Sequence, residues 1–183
     1  WFACEHWNIV PDILTIGKAI TSAYLPLGVT MTTPEIYSVF RKSGSEVRCG
    51  STFGGHSASC VAALKTFEII ERENLISYAN HIGSYIENKL REIYAKYPIV
   101  GNFRGIGTLW ALELLKDRKT KTPFPPALRV GNRVRDYCWE KGMILRNNAD
   151  ILVIAPSIII TKEEVDQMLG LMEEAIKMIM KEV

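Results

Sequence analysis

The chain has 183 residues, 48% of them hydrophobic and 23% charged, a composition that suits an ordinary globular fold and excludes the disordered, collagen-like and low-complexity classes. Twenty-two Lys and Arg against 20 Asp and Glu leave a formal net charge of +2, far from the basic excess of a nucleic-acid binder. The longest apolar runs, such as 151–156, are too short to cross a bilayer, and no apolar N-terminal stretch follows a basic start, so neither a membrane span nor a secretory signal is expected.

Residues 13–16 form a short apolar run between Pro11-Asp12 and Gly17 and are predicted to be a buried strand. Residues 28–32 read as a second strand, after which Thr33 and Pro34 supply the cap and first position of a helix through Phe40. The Gly- and Ser-rich stretch 41–56 is predicted to be loop. From Ser57 to Arg72, Cys60, Leu64, Phe67 and Ile70 recur at helical spacing, and Leu75, Ala79, Ile82, Ile86, Leu90 and Ile93 mark a longer helix that Tyr97-Pro98 ends. Residues 106–115 read as a strand, 126–141 as a helix stopped by Gly142, and 143–146 with 151–155 as a hairpin around 147–150. Thr161 and Glu164 form a capping box for a last helix with Val165, Met168, Met172, Ile176 and Ile179 inward. This order predicts an α/β part followed by an antiparallel or mixed α+β layer, with a boundary near Asn74.

Cys4, Cys49, Cys60 and Cys138 stand far apart with no CxxC spacing. That pattern suits free thiols acting as small buried hydrophobes in a reducing cytoplasm, and not a zinc or disulfide framework. The chain begins at Trp1, runs straight into apolar and aromatic sequence, and is read as a fragment of a longer protein.

Lys18 is the residue with the clearest chemical potential. It follows a short apolar strand and Gly17, with apolar neighbours, so its ammonium is expected near the protein interior, where desolvation favours the neutral, nucleophilic amine. Taken alone, the pattern equally fits a lysine that snorkels to the surface at a strand end. The Gly/Ser/Thr loop before Ser57 has the composition of an anion cradle, and also that of a simple flexible loop with Ser57 as helix cap. His56, beside Gly54-Gly55, is in a place to contact substrate but is expected to settle loop structure. Glu113, inside an apolar strand, is expected to pair with an arginine such as Arg104, and GNFRGIG has the wrong spacing for a dinucleotide fingerprint.

The segments WFACEHWNIVPDILTIGK, YLPLGV, GSTFGGHSASCVAAL, RGIGTLWALEL and ILRNNADILVIAPSIIIT resemble, in order, the surroundings of the cofactor lysine and the later landmarks of the class III aminotransferases. These are fold-type I, pyridoxal-phosphate-dependent enzymes, and the likeness is nearest to the ω-amino acid and amine:pyruvate group. The resemblance implies an α/β fold made of the C-terminal part of the large cofactor-binding domain (1–74) and a small C-terminal α+β domain (75–183). It implies pyridoxal 5′-phosphate as cofactor, no metal, and transfer of an amino group from an amino donor to a keto-acid acceptor in a cytoplasmic homodimer. Lys18 would form the Schiff base with the cofactor and move the proton, Thr52 would contact the phosphate of the neighbouring subunit, and Arg146 would pair with the substrate carboxylate. The family's pyridine-nitrogen aspartate, stacking aromatic and main phosphate loop find no match in these residues. A class III decarboxylase or aminomutase, or a non-catalytic fragment, are the alternatives.

Overall fold

The computed structural model describes residues 1–42, 44 and 46–183. The chain divides into two compact units, Trp1–Ile76 and Ser77–Val183. Among the described residues, no helix is long and apolar enough to cross a membrane.

In the first unit, strands β1 (Ile13–Ile16) and β2 (Val29–Thr32) pair antiparallel, with Ile13 opposite Thr32 and Ile16 opposite Val29. Between them a 3-10 turn covers Lys18–Thr21. Helix α1 (Pro34–Lys42) follows β2; the Thr33 hydroxyl accepts from the Ile36 N–H at 3.5 Å, the cap that the sequence suggests. Helix α2 occupies Ser57–Arg72. Two expectations fail here. β1 is not fully buried: its residues alternate, with Ile13 57% exposed and Leu14 and Ile16 half-buried. In α2 the face turned inward is the small one, Ser59, Ala63 and Thr66, while Leu64 of the predicted stripe is exposed. Small side chains let the helix approach the turn at Lys18–Thr21 closely. The larger ones, Leu64 and Phe67, border an open apolar groove of about 580 Å³ with Ile16, Val29 and Met31.

The second unit owns a complete core. Helix α3 begins at Leu75 and runs to Lys96, inside the span of 75–97 that the stripe marks out, and its Ile82, Ile86, Leu90 and Ile93 are buried. The single strand read over 106–115 is instead the second half of a hairpin. β3 (Val100–Ile106) and β4 (Leu109–Leu114) pair antiparallel around Gly107 and Thr108, the former at φ +55°. The apolar content of IGTLW masks that turn, since only the glycine marks it. The helix read over 126–141 starts later, as a 3-10 turn (Pro126–Leu128) and then α4 (Val130–Glu140), separated by Arg129 at φ +47°. β5 (Arg146–Asn148) and β6 (Ile151–Ile154) make a hairpin as expected, but its first strand is displaced: 143–145 are not strand, Asn147 and Asn148 are, and the turn narrows to Ala149-Asp150. Thr161 opens α5 (Lys162–Ile179) with its capping box in place.

The four strands form an antiparallel sheet in the order β3-β4-β6-β5. Alternation along β4 and β6 buries Trp110, Leu112 and Leu114 beside Leu152 and Ile154, with Leu112 opposite Leu152 and Trp110 opposite Ile154. This face packs against the inward stripes of α3, α4 and α5 in one cluster. From α5 that stripe includes Leu169 and Ala175 as well as the predicted Val165, Met172, Ile176 and Ile179, whereas Met168 is only half-buried. Tyr97 donates to Glu173 at 2.8 Å, and Lys96 pairs with the same carboxylate, tying the end of α3 to α5. The hydrogen bond from Lys96 is the main reason that the Glu173 carboxyl titrates below its ordinary value, so its contribution to stability is present above that ordinary value and lost as pH falls through the lower, folded one.

The hairpin turn 149–150 docks on the start of α4, where the Asp150 carboxylate accepts from the Gly131 N–H at 2.7 Å. A Cβ on Gly131 would collide with the Ala149 carbonyl, whereas one on Gly170, within α5, would meet nothing within 4 Å. Gly131→Ala is therefore expected to lower the stability of the folded chain by about 1–3 kcal/mol, and Gly170→Ala to leave it unchanged or raise it by up to about 1 kcal/mol. Urea unfolding followed by circular dichroism checks both, and equal effects of the two substitutions would refute the docking of turn on helix.

Candidate active site

The site is built from two turns of the first unit. After β1 the backbone is extended at Gly17 (φ −168°) and then enters the left-handed region at Lys18 (φ +51°), returning there at Ser22 and Ala23. A side chain with a Cβ occupies that region at a cost, so the turn needs support. Ala23 N–H donates to the Lys18 carbonyl at 3.2 Å and Ser22 N–H to that of Ala19 at 3.0 Å. The hydroxyl of Thr21, 1% exposed, donates to the Leu25 carbonyl at 2.6 Å. The lysine stem thus leaves the chain from a tightly bonded turn at the end of a strand.

Lys18 itself is exposed within this chain, contrary to the expectation of an interior ammonium. Instead of entering an apolar core, Lys18 lines an open cleft of about 940 Å³. Leu27 and Gly28, from the YLPLG segment, lie along the cleft with it, and Ser51, Phe53, Gly54, Gly55 and His56 supply a further wall.

That second wall is folded by its own short bonds. Ser51 accepts twice, through its carbonyl from the Gly54 N–H at 2.8 Å and through its hydroxyl from the Phe53 N–H at 3.3 Å. Gly55 takes φ +70°, which suits glycine, and His56 N–H donates to the Phe53 carbonyl at 3.2 Å. Helix α2 then starts at Ser57. Its cap is not Ser57 but His56, whose Nδ1 accepts from the Ser59 N–H at 3.4 Å.

Of the residues singled out in the sequence, the fold brings Lys18 and the loop around Thr52 to one cleft. Thr52 is exposed and, unlike its neighbours Ser51 and Phe53, is not among the residues that line it. Arg146 belongs to the second unit, where it is the exposed first residue of β5, opposite Val153. The turn after it is held by Asn147, which donates to Asn132 at 2.9 Å and to the Ala149 carbonyl at 2.7 Å, and accepts from Arg135 at 3.3 Å. Arg104 and Glu113 do pair across β3 and β4, at 3.2 Å. His56, expected to settle loop structure, caps α2 and also lines the cleft; Phe53 and Leu27 are cleft residues that the sequence did not mark as such, although the proline-glycine punctuation of YLPLG was an available signal for Leu27.

Two other features are structural. A smaller groove of about 220 Å³ is bordered by charges of α3 and α5 that neutralise one another, Lys89 with Asp166 at 3.0 Å and Lys96 with Glu173. Among the cysteines only Cys138 is buried, and burial pushes its thiol up to about 11, which makes it inert; Cys49, expected to be buried, lies exposed in the loop before Gly50.

The chain matches the sequence model of the family described as aminotransferase class-III over residues 1–176. It is 37% identical over 187 residues to an uncharacterized aminotransferase, y4uB, of Sinorhizobium fredii, covering 100% of this chain and 40% of that protein. It is 36% identical to the diaminobutyrate–2-oxoglutarate transaminase of Halomonas elongata, covering 96% of this chain and 38% of the relative. Among solved structures, a PMP-bound aminotransferase from Vibrio fluvialis superposes with a TM-score of 0.92 at 31% identity, over 98% of this chain and 40% of that one. The chain thus spans about 40% of the length of the curated relatives it matches.

Proposed function

Because the chain belongs to the class-III aminotransferases, a pyridoxal-phosphate-dependent family of fold-type I α/β architecture, we propose that it forms part of the active site of a cytoplasmic, homodimeric transaminase. In this reading residues 1–74 are part of the large cofactor-binding domain and 75–183 are the small domain. The amino donor is an ω-amino acid or amine and the acceptor is pyruvate or a similar keto acid. The observation that carries the reading is a single cleft with one primary amine, Lys18, on a bonded strand-end turn and a Ser/Gly loop as a further wall.

The donor set fits the cofactor. An aldehyde needs an amine held on a fixed stem, and a phosphate dianion needs hydroxyls and main-chain amides that small residues leave accessible. Pyridoxal phosphate, when bound, supplies an aldehyde carbon and an electron sink for the bond broken next to the amino group. Lys18 would hold the cofactor's aldehyde carbon through Nζ, and its amine, when free, would be the base and acid that moves the proton from the carbon bearing the amino group, a role that needs one amine near both proton positions. Thr52 binds the phosphate of the neighbouring subunit, which agrees with its exposure outside the lining of its own cleft. Arg146 receives the substrate carboxylate through its planar fork.

Borohydride reduction of the holoenzyme is expected to leave a pyridoxyl adduct on the peptide that carries Lys18; an adduct on a different lysine would overturn the assignment. Arg146→Ala is expected to weaken turnover of carboxylated substrates by about 1.5–3 kcal/mol in kcat/KM and to spare simple amines, and equal losses on both would make its role structural. Thr52 is tested by mixing subunits. A heterodimer of Lys18→Ala with Thr52→Val has one intact site if Thr52 acts across the interface, so mixing restores activity at limiting cofactor. If Thr52 served its own subunit, every site would carry a defect and no recovery would follow.

A further inference from the structure

The reading of Lys18 and the Thr52 loop as a cofactor site gives the His56 side chain no part, yet its ring is bonded on one side and in ring contact on another. Two groups of one residue converge on Nδ1: the Ser59 N–H at 3.4 Å and the Ser59 hydroxyl at 3.1 Å. A backbone N–H can only donate, so Nδ1 is the bare, accepting nitrogen, and in the neutral ring the proton sits on Nε2. Ser59 is 1% exposed, so water does not compete for its donors. From the loop side, the Phe53 ring meets the imidazole edge to face at 6.3 Å between centroids, and the His56 N–H is bonded to the Phe53 carbonyl. One side chain therefore fastens the turn that contains Thr52 to the first turn of α2, and it also lines the cleft.

We propose that His56 is a positioning residue for cofactor phosphate binding: by accepting the Ser59 N–H at Nδ1 it holds residues 51–55 in the turn that presents Thr52. The proposal rests on the cofactor-site reading above. A ring is an uncommon helix cap, and a short Ser, Asn or Asp is the usual one. Here the acceptor and the ring body act on different neighbours, Nδ1 on Ser59 and the ring on Phe53, so the two contributions can be separated by substitution. An asparagine keeps an acceptor near the Ser59 N–H without the ring. A phenylalanine keeps a ring against Phe53 without the acceptor.

The measurement is the dissociation constant for pyridoxal phosphate in the complete protein, read by absorbance and protein fluorescence as the apoenzyme is titrated, beside the same titrations of Thr52→Val and Lys18→Ala. His56→Ala and His56→Phe are expected to weaken cofactor binding about five- to tenfold, the size of a lost helix cap, and His56→Asn to restore it to within about twofold. The proposal is overturned if His56→Ala binds as tightly as the unaltered protein, or if His56→Phe restores affinity and His56→Asn does not, which would leave ring packing as the whole effect. If Thr52→Val weakens binding while His56→Ala does not, the cofactor-site reading stands and this proposal alone fails. If neither Thr52→Val nor Lys18→Ala changes binding, the reading fails and the proposal falls with it. Should His56→Ala prove too unstable to titrate, the Asn and Phe pair decides the matter by itself.

Discussion

A left-handed residue with a long side chain, placed where a strand ends, is the constraint on which the candidate site depends. Lys18 holds φ +51° with two more left-handed residues four and five positions on, a conformation that costs on the order of 1 kcal/mol for each residue carrying a Cβ. It persists because the turn is bonded from within, above all through the buried hydroxyl of Thr21 on the Leu25 carbonyl. Such a bond contributes about 1 kcal/mol net, and leaving the buried donor unpaired would cost more. The mount of the lysine is therefore made rigid by neighbours that never touch a ligand. A flexible four-carbon stem gains in precision when its root cannot move.

The loop that faces the cleft with Lys18 obeys a different rule. Its shape comes from bonds to Ser51 and Phe53, from the Phe53–His56 ring contact and from the imidazole cap on α2. Loops with little buried area sit at the low end of local stability. One side chain that ties such a loop to a 16-residue helix thus has leverage out of proportion to its size.

The two units also differ in how they satisfy the hydrophobic effect. The second closes its sheet with three helices and buries large side chains such as Ile82, Leu112, Ile154 and Met172 completely. The first buries little apolar surface beyond Ile20 and Ala63 and leaves Ile16, Leu27, Val29 and Phe67 around an open groove. Around Lys18 the polar bonds of the turn act together with the packing of Ile20, Thr21 and Ala63, where α2 meets that turn.

By itself the sequence determined the elements whose signals are local. Helical spacing placed α2 and α3, the Thr161 and Glu164 capping box placed the start of α5, and Thr33-Pro34 placed that of α1, because periodicity and caps act over four or so residues. The family resemblance was legible for the same reason, in short ordered motifs. Tertiary structure alone decided which face of a helix is covered, since amphipathicity reports what a face could bury and not what is there to bury it. That is why α2 turns Ser59, Ala63 and Thr66 inward in place of Leu64, and why Lys18 lines an open cleft and not a closed interior. The turn hidden in IGTLW and the His56 cap were likewise invisible, the first because a single glycine carries its signal, the second because histidine is an uncommon helix cap and its residue type does not announce one, although the groups it binds lie within three residues of it.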